Sequence, residues 1–441
     1  MSHPVNVQSA SASATATTAS SGVTLGDLIV QALTRHSSSE AFVAGDRRLT
    51  YAQVRDLVSQ YMTALARRGV GLGVGVTMLS PNMPESWIVQ AATYLLGGRF
   101  TGLQALASVE DHIVVCEDAE ATVLVVTAPL EEHGRQVLAE AGSLRHLMVI
   151  PAAGGLPEGE SHGARPLDAG PATETDVAWL QYTGGTTGRP KGVIQPHRSM
   201  VQMVYAYMAD FEQPHLPRYL ASAPLTHATG LGVIPTLLRG GTVVIEQGFD
   251  PSRFLDIIEA ERINCISGLP TMIYTLLDHE RPETRDLSSL EVIWYATGPM
   301  SPVRLAEARE RIGPVFSQIY GQTESTGIGT VLPKAAHETA SLERLASCGR
   351  PVVGNRIRLI DDDGHDVPLG EVGEIAMRNR GVMLGYRNLP EETEAALKGG
   401  WLHTGDLARQ DDEGVLYFSS DVLDDVFSGN AESFLTSIGV E

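Results

Sequence analysis

Between a strand-like apolar run and a helix-like run, Tyr182 to Gly192 reads YTGGTTGRPKG, which is four glycines, three threonines and one lysine in eleven residues. Glycines let backbone N–H groups approach anionic oxygens closely, threonine hydroxyls donate further hydrogen bonds, and Lys191 supplies a point charge for outer phosphates. The chemistry this composition suits is the gripping of a polyphosphate. Its spacing is not GxxxxGK[ST], which disfavours a P-loop NTPase. Taken alone, the segment also reads as a flexible strand-to-helix connector. Two more segments follow, each just after a short apolar stretch: Tyr320-Gly321-Gln322-Thr323-Glu324, and Trp401-Leu402-His403-Thr404-Gly405-Asp406-Leu407.

Alternating helices and strands must position these segments. A helix is expected from Thr24, with Leu25, Leu28, Ile29 and Leu33 at helical spacing, and a second from the capping box Thr50 to Gln53 until Gly69 ends it. Strands are expected at Val74 to Leu79, Val123 to Val126, Leu147 to Ile150, Val177 to Tyr182, Thr242 to Glu246, Ile263 to Ser267, Glu291 to Ala296 and Val315 to Tyr320, with helices between. That rhythm predicts doubly wound parallel sheets with ligands at the carboxyl ends of the strands. Ala152 to Thr175, rich in Pro, Gly and Ala, reads as a surface linker. From Arg356 the texture changes to the short strands Arg356 to Ile360 and Val372 to Met377 around a turn-rich stretch, which predicts an antiparallel, barrel-like piece. No internal repeat is present.

With 441 residues, 43% hydrophobic and 19% charged, the chain has material for two or three cores. Acidic residues outnumber basic ones 53 to 32, a formal charge of −21 that repels polyanions, so nucleic acid and anionic membrane surfaces are excluded as expected partners. Cys116, Cys265 and Cys348 match no metal-ligand spacing and suit a reduced, cytoplasmic compartment. No stretch approaches the roughly 20 apolar residues of a membrane-spanning helix. The Ser-, Ala- and Thr-rich start lacks a basic n-region and an apolar h-region, so it reads as a disordered tail rather than a secretory signal. The chain has only three lysines, Lys191, Lys334 and Lys398.

Together, in this order and at these separations, the three motif segments resemble the adenylate-forming superfamily of acyl-CoA synthetases, nonribosomal adenylation domains and luciferases. The resemblance runs from about Leu25 to about Phe418. It implies an α/β fold: a large N-terminal domain with two doubly wound α/β subdomains and a small distorted β-barrel. The divisions expected are a tail over 1–23, a first α/β subdomain over 24–175, a second over 176–345 with the phosphate loop and adenine site, a barrel-like subdomain over 346–418 and a hinge remnant over 419–441. The activity implied is that of an AMP-forming acyl-CoA synthetase using ATP, Mg²⁺ and coenzyme A on an apolar carboxylic acid, or of an adenylation module delivering to a carrier-protein thiol. A homodimer is among the assemblies left open.

By match to the family motifs, Thr183, Gly184, Gly185, Thr186, Thr187, Gly188 and Lys191 take the phosphate role. Gly184 stands where serine is common. Glu324 matches the Mg²⁺-binding glutamate, Thr323 the hydroxyl near the α-phosphate, and Tyr320, with Gly321 and Gln322, the aromatic segment that stacks on adenine. Asp406 matches the aspartate receiving both ribose hydroxyls, although a turn or N-cap aspartate would read the same way. Ala296, Thr297 and Gly298 match more loosely a small-residue strand end flanking adenine and the acyl pocket. His227 matches the histidine lining the carboxylate site, where orientation of the acid is its expected task. Ala228, Gly230 and Gly232 around it suggest room for a sizeable apolar acyl group.

Family members continue through a hinge that begins with an Asp-Arg or similar pair into a small mobile α+β domain carrying a further lysine. Here Asp421-Val422 stands at that position, no basic residue follows Arg409, and the chain ends at Glu441. The resemblance therefore implies that the small domain and its lysine are absent. Three accounts stay open: a shortened copy of a complete synthetase, a half-enzyme relying on a partner, or a non-catalytic binder of nucleotide or acyl-adenylate.

Overall fold

Thr24 and Thr50 each begin a helix as a reciprocal cap. The Thr24 side chain accepts from the Asp27 N–H while Asp27 reaches back to the Thr24 backbone, and Thr50 and Gln53 do the same, starting Leu25–Arg35 and Tyr51–Arg67. Thr24 is thus the cap and not the first helical residue. The computed structural model describes residues 22–160, 165–183, 190–298, 300–338 and 341–419. Nearly all of the expected tail and hinge remnant, and the phosphate-loop positions Gly184, Gly185, Thr186, Thr187 and Gly188, lie outside the described residues.

Among the described residues, two mixed sheets organise the fold. The first has thirteen strands, in the spatial order Arg356–Ile360, Val372–Arg378, Leu402–Gln410, Leu416–Phe418, Ser347–Pro351, Thr330–Leu332, Phe316–Tyr320, Val292–Tyr295, Cys265–Gly268, Arg218–Ala221, Thr242–Ile245, Glu40–Ala44 and Arg47–Thr50. Neighbours from Phe316–Tyr320 to Glu40–Ala44 are parallel, and the strands from Thr330–Leu332 outward are antiparallel. The antiparallel piece expected from Arg356 is therefore continuous with the parallel sheet, and among the described residues no pairing closes it into a ring. The second sheet runs Gly385–Tyr386, Lys191–Pro196, Val177–Thr183, Arg99–Gly102, Gly75–Leu79, Ala121–Thr127, His146–Ile150, and is parallel except that Lys191–Pro196 is antiparallel to both its neighbours. It takes strands from both sides of position 175, and Glu40–Thr50 joins the other sheet.

Strands buried on both faces read as unbroken apolar runs, and the burial of Val123, Leu124, Val125 and Val126 shows why. The largest apolar cluster lies between the two sheets and combines Phe42, Tyr219 and Val243 of one with Val76, Phe100 and Val123 of the other. Separate clusters cover the outer face of each sheet, and a fourth fills the antiparallel piece around Ile375, Met377 and Leu402. Among the described residues no helix is long and apolar enough to cross a membrane.

Outside its four undescribed residues, the linker over 152–175 contains neither helix nor strand. It is pinned by an ion pair whose carboxylate is buried and whose guanidinium is partly exposed. Glu85, fully buried on the helix Pro84–Leu95, receives Arg47 through two contacts of 2.8 and 2.5 Å and the Gly155 N–H at 2.7 Å. Tyr61 Oη donates to the Gly155 carbonyl at 2.6 Å.

Candidate active site

Parallel register brings the carboxyl ends of several strands to one edge: Tyr295 lies opposite Gln318, and Ser267 opposite Trp294. Ala296, Thr297 and Gly298 leave the end of Val292–Tyr295, and Gly321 and Gln322 leave the end of Phe316–Tyr320. Thr297 holds φ of 72°, a left-handed conformation that is unusual for a β-branched residue and that stores strain at this edge. Gly321 is required sterically, since a Cβ there would lie 2.4 Å from the Gly327 carbonyl carbon.

The turn after Tyr320 meets the Leu402–Gln410 strand at Asp406. Tyr320 Oη donates to Asp406 Oδ2 at 2.5 Å, and Gln322 Nε2 donates to the same oxygen at 2.9 Å and to the Thr404 carbonyl at 2.8 Å. Asp406 Oδ1 has no hydrogen-bond partner among the described residues. Burial pushes the Asp406 carboxyl above the usual aspartate range, the Tyr320 and Gln322 donors oppose that rise, and the Glu324 and Glu374 charges add to it. Burial and the Asp406 charge push the Tyr320 phenol far up. The Tyr320 ring meets Phe418 edge-on at 5.2 Å. Behind this group Glu374 accepts from the Gly405 N–H at 2.9 Å and contacts His403 Nδ1 at 2.8 Å, fixing the Thr404-Gly405-Asp406 backbone.

A second group forms around Glu324. Tyr386 Oη donates to Glu324 Oε1 at 2.7 Å, and Lys191 Nζ sits 5.3 Å from the centroid of the Tyr386 ring. Thr183 pairs in register with Lys191 across the ends of the undescribed loop. Thr323 is held by its carbonyl, which accepts from Nε2 of the fully buried Gln195, while Gln195 Oε1 accepts from the Thr326 hydroxyl. Residues of the YGQTE turn are thereby bound to the strand that carries Lys191.

His227 lies apart from these hydrogen-bonded groups. It caps the short helix Ala228–Gly232, with Nδ1 3.0 Å from Thr226 Oγ1. Burial lowers its pKa to about 4, so the imidazole is neutral near pH 7. The helix reaches the YGQTE turn, because a Cβ on Gly327 would sit 3.5 Å from Leu231 Cδ1. Gly230 and Gly232 do not leave open room: an added Cβ would meet the Leu225 carbonyl oxygen at 1.9 Å and the Tyr219 ring at 2.8 Å. Their small size is a packing requirement, which removes the acyl-pocket argument drawn from them. Ala296, Thr297 and Gly298 share the edge, and among the described residues they make no hydrogen bond to either group.

Sequence reasoning passed over Gln195 and Tyr386. A lone glutamine inside the apolar strand KGVIQP was a readable signal for the first; Tyr386, in a two-residue strand, gave none. As for a divalent metal, Glu324 offers a hard carboxylate oxygen beyond the one Tyr386 occupies, which fits Mg²⁺ shared between one carboxylate and substrate phosphates. Lys334 Nζ donates to the Glu291 carbonyl at 2.8 Å and Lys398 lies on the outer surface, so among the three lysines Lys191 is the one at this site.

Residues 29–387 match the AMP-binding enzyme family. The chain is 40% identical over 423 residues to a medium/long-chain-fatty-acid–CoA ligase, FadD8, of Mycobacterium tuberculosis, covering 93% of this chain and 73% of that protein. It is 34% identical to a feruloyl-CoA synthase of an Amycolatopsis species, covering 87% and 76%. Among solved structures, the amide bond synthetase McbA from Marinactinospora thermotolerans superposes with a TM-score of 0.80 at 30% identity, over 89% of this chain and 78% of that one.

Proposed function

The chain belongs to the AMP-binding enzyme family, and from that premise we propose that its two hydrogen-bonded groups are the two ends of one ATP site serving an AMP-forming acid–CoA ligase. The carboxylate of an apolar acid attacks the α-phosphate, the bond to pyrophosphate breaks, and the acyl-adenylate forms. A thiol sulfur then attacks the acyl carbon and AMP leaves. Phosphoryl transfer of this kind demands positioning and charge stabilisation more than covalent chemistry from the protein. Asp406 receives the ribose hydroxyls, Tyr320, Gly321 and Gln322 with Ala296, Thr297 and Gly298 line the adenine, and Lys191 faces the outer phosphates together with the loop from Thr183 to Gly188. Glu324 and Thr323 stand at the α-phosphate. When bound, Mg²⁺ neutralises charge on the phosphates, with Glu324 its protein oxygen. His227, neutral, orients the acid.

The observation carrying this reading is that one segment joins the other two: its Tyr320 and Gln322 bond Asp406, and its Glu324 is linked through Tyr386 to Lys191. The apolar character of the acid rests on the fatty-acid and feruloyl ligases among the relatives. A cytoplasmic location fits three buried, unpaired thiols. Coenzyme A is the acceptor by the same kinship; the kinship with an amide bond synthetase makes an amine the second acceptor to try. Isotope exchange between pyrophosphate and ATP should appear with medium- and long-chain fatty acids or hydroxycinnamic acids, and thioester with coenzyme A. Nucleotide binding without exchange for any acid would mark a binder instead of a ligase.

A further inference from the structure

Tyr386 touches Glu324 and Lys191 at once and belongs to neither of their segments. Its hydroxyl donates to Glu324 Oε1 at 2.7 Å and its ring lies beneath Lys191 Nζ at 5.3 Å, within cation–π range. Its own placement is firmly determined. Gly385–Tyr386 pairs with Val193 and Ile194 of the Lys191 strand, the Tyr386 N–H donates to Thr393 Oγ1 at 2.9 Å, and the Arg387 N–H donates to the Gly192 carbonyl at 2.7 Å. Gly385 adopts φ of 147°, and a Cβ there would lie 2.5 Å from Thr393 Cγ2, so the strand enters in one way. The same loop holds the other end of Glu324, since the Met383 N–H donates to the Glu324 carbonyl at 2.8 Å.

We propose that Tyr386 is a positioning residue for adenylation: its hydroxyl orients the Glu324 carboxylate toward a divalent cation, and its ring sets the distance between that cation and the Lys191 ammonium. The proposal rests on the assignment of Glu324 and Lys191 to the phosphates. A hydroxyl on one oxygen of a carboxylate fixes the plane of the group and directs the other oxygen outward, the usual effect of a partner behind a metal ligand. One aromatic side chain then spaces a cation, a carboxylate and the phosphates they share.

The test uses the full chain with Mn²⁺ as a paramagnetic probe, titrated in the presence of α,β-methylene ATP and followed by electron paramagnetic resonance. Tyr386→Phe keeps the ring and loses the hydroxyl, and should weaken Mn²⁺ binding about 10- to 100-fold. Tyr386→Leu should lose that and also weaken metal-free analogue binding, which Tyr386→Phe should leave near wild type. AMP-induced thermal shifts should persist in both variants, since AMP lacks the outer phosphates, and they report an intact fold; if the Leu variant does not fold, the Phe variant decides. Wild-type Mn²⁺ affinity in Tyr386→Phe, with a clear loss in Glu324→Gln, would overturn the tether alone. Wild-type affinity in Glu324→Gln as well would overturn the metal assignment beneath it.

Discussion

Asp406 commits one carboxylate oxygen to structure and leaves the other open to the proposed ribose contact. Oδ2 is occupied by Tyr320 and Gln322, and Oδ1 has no partner among the described residues. That division separates two effects of mutation. Asp406→Ala removes the acceptor for a buried phenol and should lower ligand-free stability by about 1–3 kcal/mol, the usual cost of an unsatisfied buried donor. Asp406→Asn keeps an oxygen for Tyr320, so its ligand-free stability should stay close to wild type. It loses the charged acceptor proposed for ribose, an interaction typically worth about 1.5–3 kcal/mol. AMP should therefore bind roughly 10- to 100-fold more weakly to Asp406→Asn, read as a reduced AMP-dependent thermal shift. Lys191→Ala should behave in the opposite sense, weakening ATP and sparing AMP. Equal ATP and AMP losses in Lys191→Ala would remove it from the outer phosphates, and an unchanged AMP shift in Asp406→Asn would remove Asp406 from the ribose.

Among the elements, the linker over 152–160 depends on a charge pair that a sequence pattern does not announce. Glu85 is fully buried, and its carboxylate is compensated by the Arg47 guanidinium and the Gly155 N–H. Arg47→Ala leaves that carboxylate buried without its cation and should cost about 3–5 kcal/mol in urea unfolding, whereas Arg47→Met combined with Glu85→Leu should recover most of the loss. An Arg47→Ala variant within about 0.5 kcal/mol of wild type would show the pair to be dispensable. Sequence reading succeeded where the determinants are local. The capping box at Thr50 and the apolar strand run Val123 to Val126 are written in consecutive residues, whereas Thr24 reads from sequence as the first helical residue and is the cap. Sequence reading stopped where pairing is long-range: Glu40–Ala44 joins Thr242–Ile245, and the two-residue strand Gly385–Tyr386 joins Lys191–Pro196. The site divides likewise. Tyr320, Gln322, Glu324 and Asp406 were legible because each sits inside a contiguous motif, while Gln195 and Tyr386 act across a sheet edge and have no motif of their own.

For the molecule as a whole, a formal charge of −21 invites the expectation that acid, by neutralising carboxylates, relieves self-repulsion and stabilises the fold. The buried histidines argue the reverse. His197 is fully buried against Tyr94, its Nδ1 accepting from the Leu25 N–H at 3.3 Å and its Nε2 without a hydrogen-bond partner among the described residues. His337 is buried between the Pro333 carbonyl and the Tyr295 hydroxyl. Burial lowers both pKa values from 6.5 to about 4; nearby Asp176 and Asp27 partly offset it for His197, and for His337 the Pro333 hydrogen bond opposes it while Arg309 adds to it. Above pH 6.5 neither the folded nor the unfolded chain binds these protons, and between 6.5 and 4 the unfolded chain binds more. Stability should therefore fall across that window by about 1.4 kcal/mol per pH unit for each histidine, on the order of 3 kcal/mol each by pH 4. Asp406 has the opposite sign, because its raised pKa lets the folded state take a proton first. Urea unfolding between pH 7 and pH 5 should show decreasing stability, and His197→Asn, which keeps an acceptor for Leu25 and does not titrate, should flatten the slope by close to one proton. Identical slopes in wild type and variant would mean that His197 takes up no extra proton on unfolding, and any acid sensitivity would then belong to the other buried histidines and the carboxylates.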